Sequence, residues 1–300
     1  MKNREKKMNL FKKNVLLFAA LFLTQACASL YAKKIEIPKK EIIVASYGTS
    51  YNKTRTITIG GIESAFYETF SDYKIERVFT AEMFINKLKK RDGIKILNIE
   101  EALEKALREG IEEIVIQPTF VLPGNELNKF FDRARKYEKK FKKFIISEPL
   151  INSENDMKRV AEIFIERAQE FDNRQTAICI MGHGNDSDSN KMYKEMEVYL
   201  HSIGKSNFFV GTVHEESSTD QIIKTLKEQG GYKNVVLIPM MITSGEHIIH
   251  DMAGDGDESW KTIFNKAGYN VICVFEGMGQ WYSIQKMFAF KSIDAIGQAE

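Results

Sequence analysis

The sequence predicts an α/β fold built from two similar lobes, and three observations carry that prediction. From about residue 41 onward, short apolar runs alternate with amphipathic stretches. This βαβα rhythm belongs to parallel sheets covered by helices on both faces. The rhythm also repeats in register: Pro118 closes one apolar run and precedes Gly124 by six residues, and Pro239 closes another and precedes Gly245 by six. Finally, three of the five histidines, His183, His214 and His247, stand just past apolar, strand-like runs of the second half. Parallel strands gather their carboxyl ends along one edge, where open sheets place their sites. The expected site is a cleft between an N-terminal lobe over 41–172 and a C-terminal lobe over 175–300.

Taken in order, Glu41–Ser46 (EIIVAS) reads as a buried strand, being short and β-branched. It runs into Tyr47-Gly48-Thr49-Ser50, where small residues allow a tight turn or a close ligand. Thr56–Phe70 is expected as a helix, with Gly60-Gly61 its weak point. Tyr73–Thr80 alternates as a strand. Ala81–Lys90 and Ile99–Glu109 read as helices, the second with Glu100/Glu104 and Lys105/Arg108 laid out for ion pairing. Glu112–Gln117 is a strand stopped by Pro118, followed by a helix over Glu126–Tyr137, a short strand at Phe144–Ser147 and a helix over Asp156–Phe171. Polar residues Asp172–Gln175 mark the boundary.

The second half follows the same plan. Thr176–Met181 is a strand ending in Gly182-His183-Gly184, then come a polar loop and a helix over Met192–Ile203. Phe208–Val213 and Val235–Ile238 are strands around a helix at Thr219–Gln229. Trp260–Lys266, Tyr269–Phe275 and Gln280–Ile296 close the chain as helix, strand and helix. Gly124-Asn125-Glu126 matches Gly245-Glu246-His247, and Ala45–Gly48 is aligned with Ile180–His183 at the ends of the first strands.

Composition sets the bounds. The 300 residues are 43% hydrophobic and 28% charged, and Lys+Arg 43 against Asp+Glu 41 leaves a net charge of +2. That is no nucleic-acid signature. Lys2, Arg4, Lys6, Lys7, Lys12 and Lys13 precede Val15–Leu23, an apolar core too short to span a bilayer. Ala26-Cys27-Ala28 then offers a cleavage site, so 1–28 reads as a signal peptide and the mature protein as exported to the periplasm. Lipidation of Cys27 is the less favoured reading, since Leu23–Ala26 fits a lipobox poorly. No other stretch reaches transmembrane length. Cys179 and Cys273 lie inside apolar runs without CxxC spacing and read as buried free thiols.

The chemistry centres on Asn234–Trp260, a buried strand that delivers His247, His250 and a group of acids. One histidine in such a place is commonly a hydrogen-bonded structural residue. Three at equivalent strand ends point instead to a divalent ion such as Co, Fe, Ni or Zn, which imidazoles suit. Glu215 or Glu216 could add a carboxylate, and the three-residue offset of His250 turns it towards another face. There is no HExxH, G-x-S-x-G, P-loop or GxGxxG. Asp255-Gly256-Asp257-Glu258 lacks the rest of a calcium loop and reads as a helix start capped near Ser259.

The segments SYGTSYNKT, FTAEMFINKLKKRDGI, MGHG, VGTV, SGEHIIHDMAGDGDESWK and EGMG carry a resemblance. From about Glu41 to its end the chain resembles the anaerobic cobalt chelatases of vitamin B12 synthesis, the sirohydrochlorin cobaltochelatases. The resemblance implies the chelatase fold of two α/β lobes. It implies a divalent metal, Co²⁺ first with Fe²⁺ or Ni²⁺ as alternatives, inserted as substrate into sirohydrochlorin with release of two pyrrole protons. The family histidines match His183 and His247, as metal ligands and proton acceptors. The family glutamate after VG-x-V is His214 here, so that either His214 takes over as ligand or Glu215 swings in. Lys and Arg at the rim are expected to hold the carboxylates of the tetrapyrrole. An exported haem-, metallotetrapyrrole- or metal-binding protein using the same cleft is the competing reading, and homo-oligomer formation is left open.

Overall fold

The structure, a computed structural model, describes residues 39–214 and 218–299. The expected signal peptide, Cys27, Glu215 and Glu216 lie outside the described residues. Strands β1 (Lys40–Ser46), β2 (Lys74–Phe79), β3 (Glu113–Pro118) and β4 (Lys143–Ile146) form a sheet in the order β2-β1-β3-β4. Strands β5 (Thr176–Gly182), β6 (Phe208–Thr212), β7 (Asn234–Met240) and β8 (Asn270–Cys273) repeat it as β6-β5-β7-β8. The named strands pair in parallel throughout. In β1, Ile42 and Val44 face one side and Ile43 and Ala45 the other, and all are fully buried. A strand covered on both faces is apolar over most of its length, which is why Ile42–Ala45 reads as an unbroken run.

The ladders fix how the two halves correspond. Ala45 pairs with Pro118 and Met181 with Pro239. Ser46 pairs with Phe79 and Gly182 with Thr212. Ala45–Gly48 therefore corresponds to Met181–Gly184, one residue later than the alignment with Ile180–His183 expected from sequence. Gly48 (φ 106°) and Gly184 (φ 84°) then fall together, both in the left-handed region that turns the chain out of the first strand.

The expected helix at Thr56–Phe70 is two: α1 (Asn52–Ile57) and α2 (Ile59–Thr69), broken at Thr58. Gly61 serves packing rather than bending, because a Cβ there would stand 2.5 Å from Gln285 Nε2 and 3.0 Å from the Gly279 carbonyl. Next come α3 (Glu82–Asp92), α4 (Ile99–Arg108), α5 (Asn125–Arg135) and α6 (Glu154–Ala168). The second half supplies α7 (Lys191–Ser202), α8 (Ser218–Gln229), α9 (Trp260–Lys266) and α10 (Tyr282–Gln298). Capping follows the sequence: Asn98 and Glu101 form a reciprocal capping box on α4, and the Ser259 hydroxyl accepts the Thr262 N–H at the start of α9.

The outer face of each sheet has its own core. Ile43, Ile114 and Ile116 pack with α4 and α5, and Cys179, Val235 and Leu237 with α8 and α9. The inner faces share one continuous cluster that joins Ile42, Val44 and Val115 to Ile180, Val236 and Ile238 through α2, α6, α7 and α10. Helices cross the boundary at 172–175 that separates the sheets. In particular, α10 packs against α2 and β3, and there the Ser292 hydroxyl donates to Gln117 Oε1 at 2.8 Å. Residues 38–300 accordingly form one unit. No described helix is long and apolar enough to cross a membrane.

Candidate active site

His183 is the first residue after β5, His214 the second after β6, and His247 lies in the turn after β7. Backbone pairing draws the first two together. The β5–β6 ladder continues past the strands, with Val213 N–H donating to Gly182 O at 3.0 Å and His214 N–H to His183 O at 3.3 Å. The ring centroids of His183 and His214 lie 4.5 Å apart, those of His183 and His247 4.6 Å, and those of His214 and His247 6.4 Å. The structure thus brings all three together at one sheet edge. It does not include His250, whose Nε2 reaches back to Glu246 Oε2 at 2.9 Å on the exposed side of the turn.

Two of the rings are oriented by their neighbours. His183 Nδ1 donates to the Gly184 carbonyl at 2.7 Å, and His247 Nδ1 donates to Asp251 Oδ2 at 2.6 Å. In a neutral imidazole this leaves the lone pair on Nε2. Nε2 of His183 faces Nε2 of His214 at 3.4 Å. Two imidazoles sharing a tetrahedral ion at ~2.05 Å would hold their nitrogens ~3.3 Å apart. Among the described residues, no three His, Cys, Asp or Glu side chains are already arranged to hold an ion. His247, tied to Asp251, has to swing towards the other two for all three to bind.

His183 opens onto solvent in the cavity, yet desolvation by the protein around it pulls its pKa below the ordinary value. The bond to the Gly184 carbonyl opposes this, and the charges of His247 and His214 reinforce it. Beneath it, the buried Tyr193 ring fills the space that a side chain at position 182 would need, and burial pushes its phenol up to about 12.

The histidines form one wall of a cavity of about 740 Å³, well within the range of small-molecule sites. The opposite wall comes from the first lobe. The β-ladder equivalence makes Tyr47 the counterpart of His183, and Gly124–Glu126 the counterpart of Gly245–His247, and both Tyr47 and Glu126 line the cavity. Thr80 Oγ1 donates to Glu126 Oε1 at 3.1 Å, while burial raises the Glu126 pKa above the ordinary carboxylate range. Burial, then the Glu126 charge, likewise raises the Tyr47 phenol. Sequence reasoning matched Glu126 to His247 by position but gave it no role. Its repeat equivalence was the available signal.

The lobes are tied at both edges of the cleft, by Thr54 Oγ1 donating to Ser244 O at 3.1 Å and by Ser189 Oγ donating to Pro123 O at 2.6 Å. The described lining contains no Lys or Arg. The basic rim expected from sequence is therefore not on the cavity wall. The acids after the turn are surface residues, Asp255 paired with Lys261 and Asp257 with Lys266, each at 2.7 Å. Cys179 is a buried free thiol as expected, while Cys273 is only half-buried.

The profile of the cobalt chelatase (CbiK) family matches residues 40–297. The chain belongs to that family. It is 31% identical over 262 residues to the sirohydrochlorin cobaltochelatase of Salmonella typhimurium, covering 87% of this chain and 98% of that protein. It is 25% identical over 253 residues to the sirohydrochlorin cobaltochelatase CbiKC of Nitratidesulfovibrio vulgaris, covering 82% and 87%. The fold is that of solved chelatases. SirB from Bacillus subtilis with Fe³⁺ superposes with a TM-score of 0.62 at 13% identity, over 87% of this chain and 98% of SirB. CbiX, the terminal enzyme of sirohaem biosynthesis in denitrifying bacteria, gives 0.51 at 13% identity, over 85% and 98%.

Proposed function

We propose that this cobalt chelatase family member inserts a divalent metal, Co²⁺ before Fe²⁺ or Ni²⁺, into sirohydrochlorin. The observation that carries the reading is the convergence of His183, His214 and His247 on one wall of a cavity of about 740 Å³. The ion enters as substrate, held by the Nε2 atoms of His183 and His214, with His247 completing the set. The depressed pKa of His183 keeps that ring neutral and able to ligate near neutral pH.

The macrocycle lies between the two walls. As its inner nitrogens take the ion, the lone pairs that form the N–M bonds come from deprotonated pyrroles, so two protons must leave. One goes to Nε2 of His247, freed from the ion, with Asp251 holding the imidazolium that results. The other goes to Glu126 on the far wall, whose raised pKa makes it a better acceptor than an ordinary carboxylate. Both protons pass on to water. An imidazole at 214 removes one negative charge relative to a glutamate ligand and favours the softer borderline ions.

Export belongs to the same proposal and rests on the charged start, the short apolar core and Ala26-Cys27-Ala28. The mass of the native protein should place the mature start near Ser29 or Lys33, and an intact Met1 in a cytoplasmic fraction contradicts it. Spectroscopic assay of sirohydrochlorin with Co²⁺ and catalytic amounts of the purified chain tests the insertion itself.

A further inference from the structure

A buried guanidinium nitrogen without a hydrogen-bond partner stands on the helix that follows the cavity-lining residues Thr49 and Tyr51. Arg55, on α1, is only 7% exposed, and its Nη1 is buried without a hydrogen-bond partner. Two other guanidiniums lie close by and both are occupied. Arg77 grips both oxygens of Glu63, through Nε at 2.6 Å and through Nη2. Arg91 grips both oxygens of Asp92 at 2.7 and 2.5 Å, and its Nη2 also donates to Ser50 O at 2.6 Å and to Asn52 Oδ1 at 3.1 Å. Three guanidiniums thus stand near two carboxylates that the other two already grip, and Asp92 reaches Arg55 by its charge rather than by a hydrogen bond. Burial, then the Arg77 charge, pulls the Arg55 pKa down, with Asp92 opposing. A buried donor without a partner is costly, and an anion that reached Nη1 would remove that cost.

The position suggests which ligand. The Arg55 N–H donates to Tyr51 O at 2.8 Å, one helical turn back, and Tyr51 lines the cavity together with Thr49. Arg91 braces the same loop through Ser50 O. We propose that Arg55, with Arg91 beside it, forms an anion subsite that takes one peripheral carboxylate of the tetrapyrrole bound in the cavity. This rests on the reading that the cavity takes sirohydrochlorin. A guanidinium offers a carboxylate two parallel N–H groups, and the side arms of the macrocycle extend outward past the wall that its ring touches. Entry needs the Tyr51 turn to move aside, since Arg55 is closed off as it stands. Free phosphate presents the same oxygens, so the test separates the two sources.

The test compares the full chain with Arg55→Met and Arg55→Lys by fluorescence titration with metal-free sirohydrochlorin. A structurally paired arginine would leave a destabilised protein when replaced. Here Arg55→Met should melt no lower than wild type, while the dissociation constant for sirohydrochlorin rises roughly tenfold or more and Arg55→Lys recovers part of the loss. Inorganic phosphate should compete with sirohydrochlorin on the wild type beyond its effect on ionic strength, a readout that needs no variant. Unchanged sirohydrochlorin binding by Arg55→Met, with normal binding by the wild type, overturns the subsite alone. If phosphate raises the melting temperature of the wild type but not of Arg55→Met while that binding is unchanged, the site serves a free oxyanion and the carboxylate assignment is wrong. A wild type that binds no sirohydrochlorin overturns the functional reading along with this use of Arg55.

Discussion

Nδ1 of His247 stands 2.6 Å from Oδ2 of Asp251, four residues further along the chain. The two share the tight turn that includes the π-helical residues Ile248–Met252, which stacks them on one side. The carboxylate fixes which nitrogen carries the proton, and so which one faces the cavity with a lone pair. Asp251→Asn keeps the shape but lets the amide donate to Nδ1, which turns the tautomer round. The insertion rate should fall roughly 10–100-fold, with the circular dichroism spectrum unchanged. Asp251→Asn working at the wild-type rate removes the positioning role.

His214→Glu should keep insertion activity while changing the order in which metals are used. The imidazole now shares its edge with His183 at 3.4 Å. A carboxylate there adds negative charge and a harder donor, which should raise Fe²⁺ relative to Co²⁺ and Ni²⁺. Parallel assays with each ion check this, and an unchanged order shows that His214 does not reach the metal.

Glu126 links activity, stability and pH. Its folded pKa is raised above the value of 4.5 for the free side chain. Its contribution to stability is therefore fully present below the unfolded pKa and is lost as pH rises through the folded pKa. Glu126→Gln should melt higher than wild type at neutral pH, with the difference shrinking towards pH ~4, and it should insert metal more slowly. His183 has the opposite sign: a depressed pKa postpones its protonation, so metal should be retained until pH falls below the ordinary histidine range. Melting curves and cobalt binding across pH test both. A variant that loses activity without gaining stability at neutral pH removes the case for a partly desolvated, costly carboxylate at this exposed position.

Gly182→Ala should be destabilising by about 1–3 kcal/mol, because the new Cβ would lie 2.2 Å from the Tyr193 ring. That ring is buried under the strand end that carries His183, so the displacement should also weaken cobalt binding. Urea denaturation gives the first effect and metal titration the second. An alanine variant as stable as wild type means that Tyr193 has room to move.

Much of this arrangement was legible because burial leaves a trace in composition. Strands covered on both faces, such as β1 and β7, carry unbroken apolar runs at Ile42–Ala45 and Val235–Met240, and Pro118 and Pro239 fall at the same rung in both sheets. The histidines could be placed at one edge because parallel strands share a direction. The match of Ala45–Gly48 missed by one residue, since the left-handed turn at Gly48 and Gly184 depends on φ, which glycine permits but does not announce. The break at Thr58 was hidden for a related reason: Gly60-Gly61 looked like a flaw, while Gly61 answers to Gln285 and Gly279, more than two hundred residues away. Which basic residues stand near the cavity could not have been read, because Lys and Arg are spread along the sequence and only the fold decides that the described cavity lining holds none of them.

The central claim is that His183 and His247 carry metal insertion from the C-lobe wall. The most direct measurement follows the absorbance of sirohydrochlorin with Co²⁺ in the presence of wild type, His183→Ala and His247→Ala. Circular dichroism establishes that each variant is folded. The account predicts catalysed insertion by the wild type, and by each folded variant a rate no faster than the uncatalysed reaction. His247→Ala or His183→Ala inserting cobalt at the wild-type rate contradicts it.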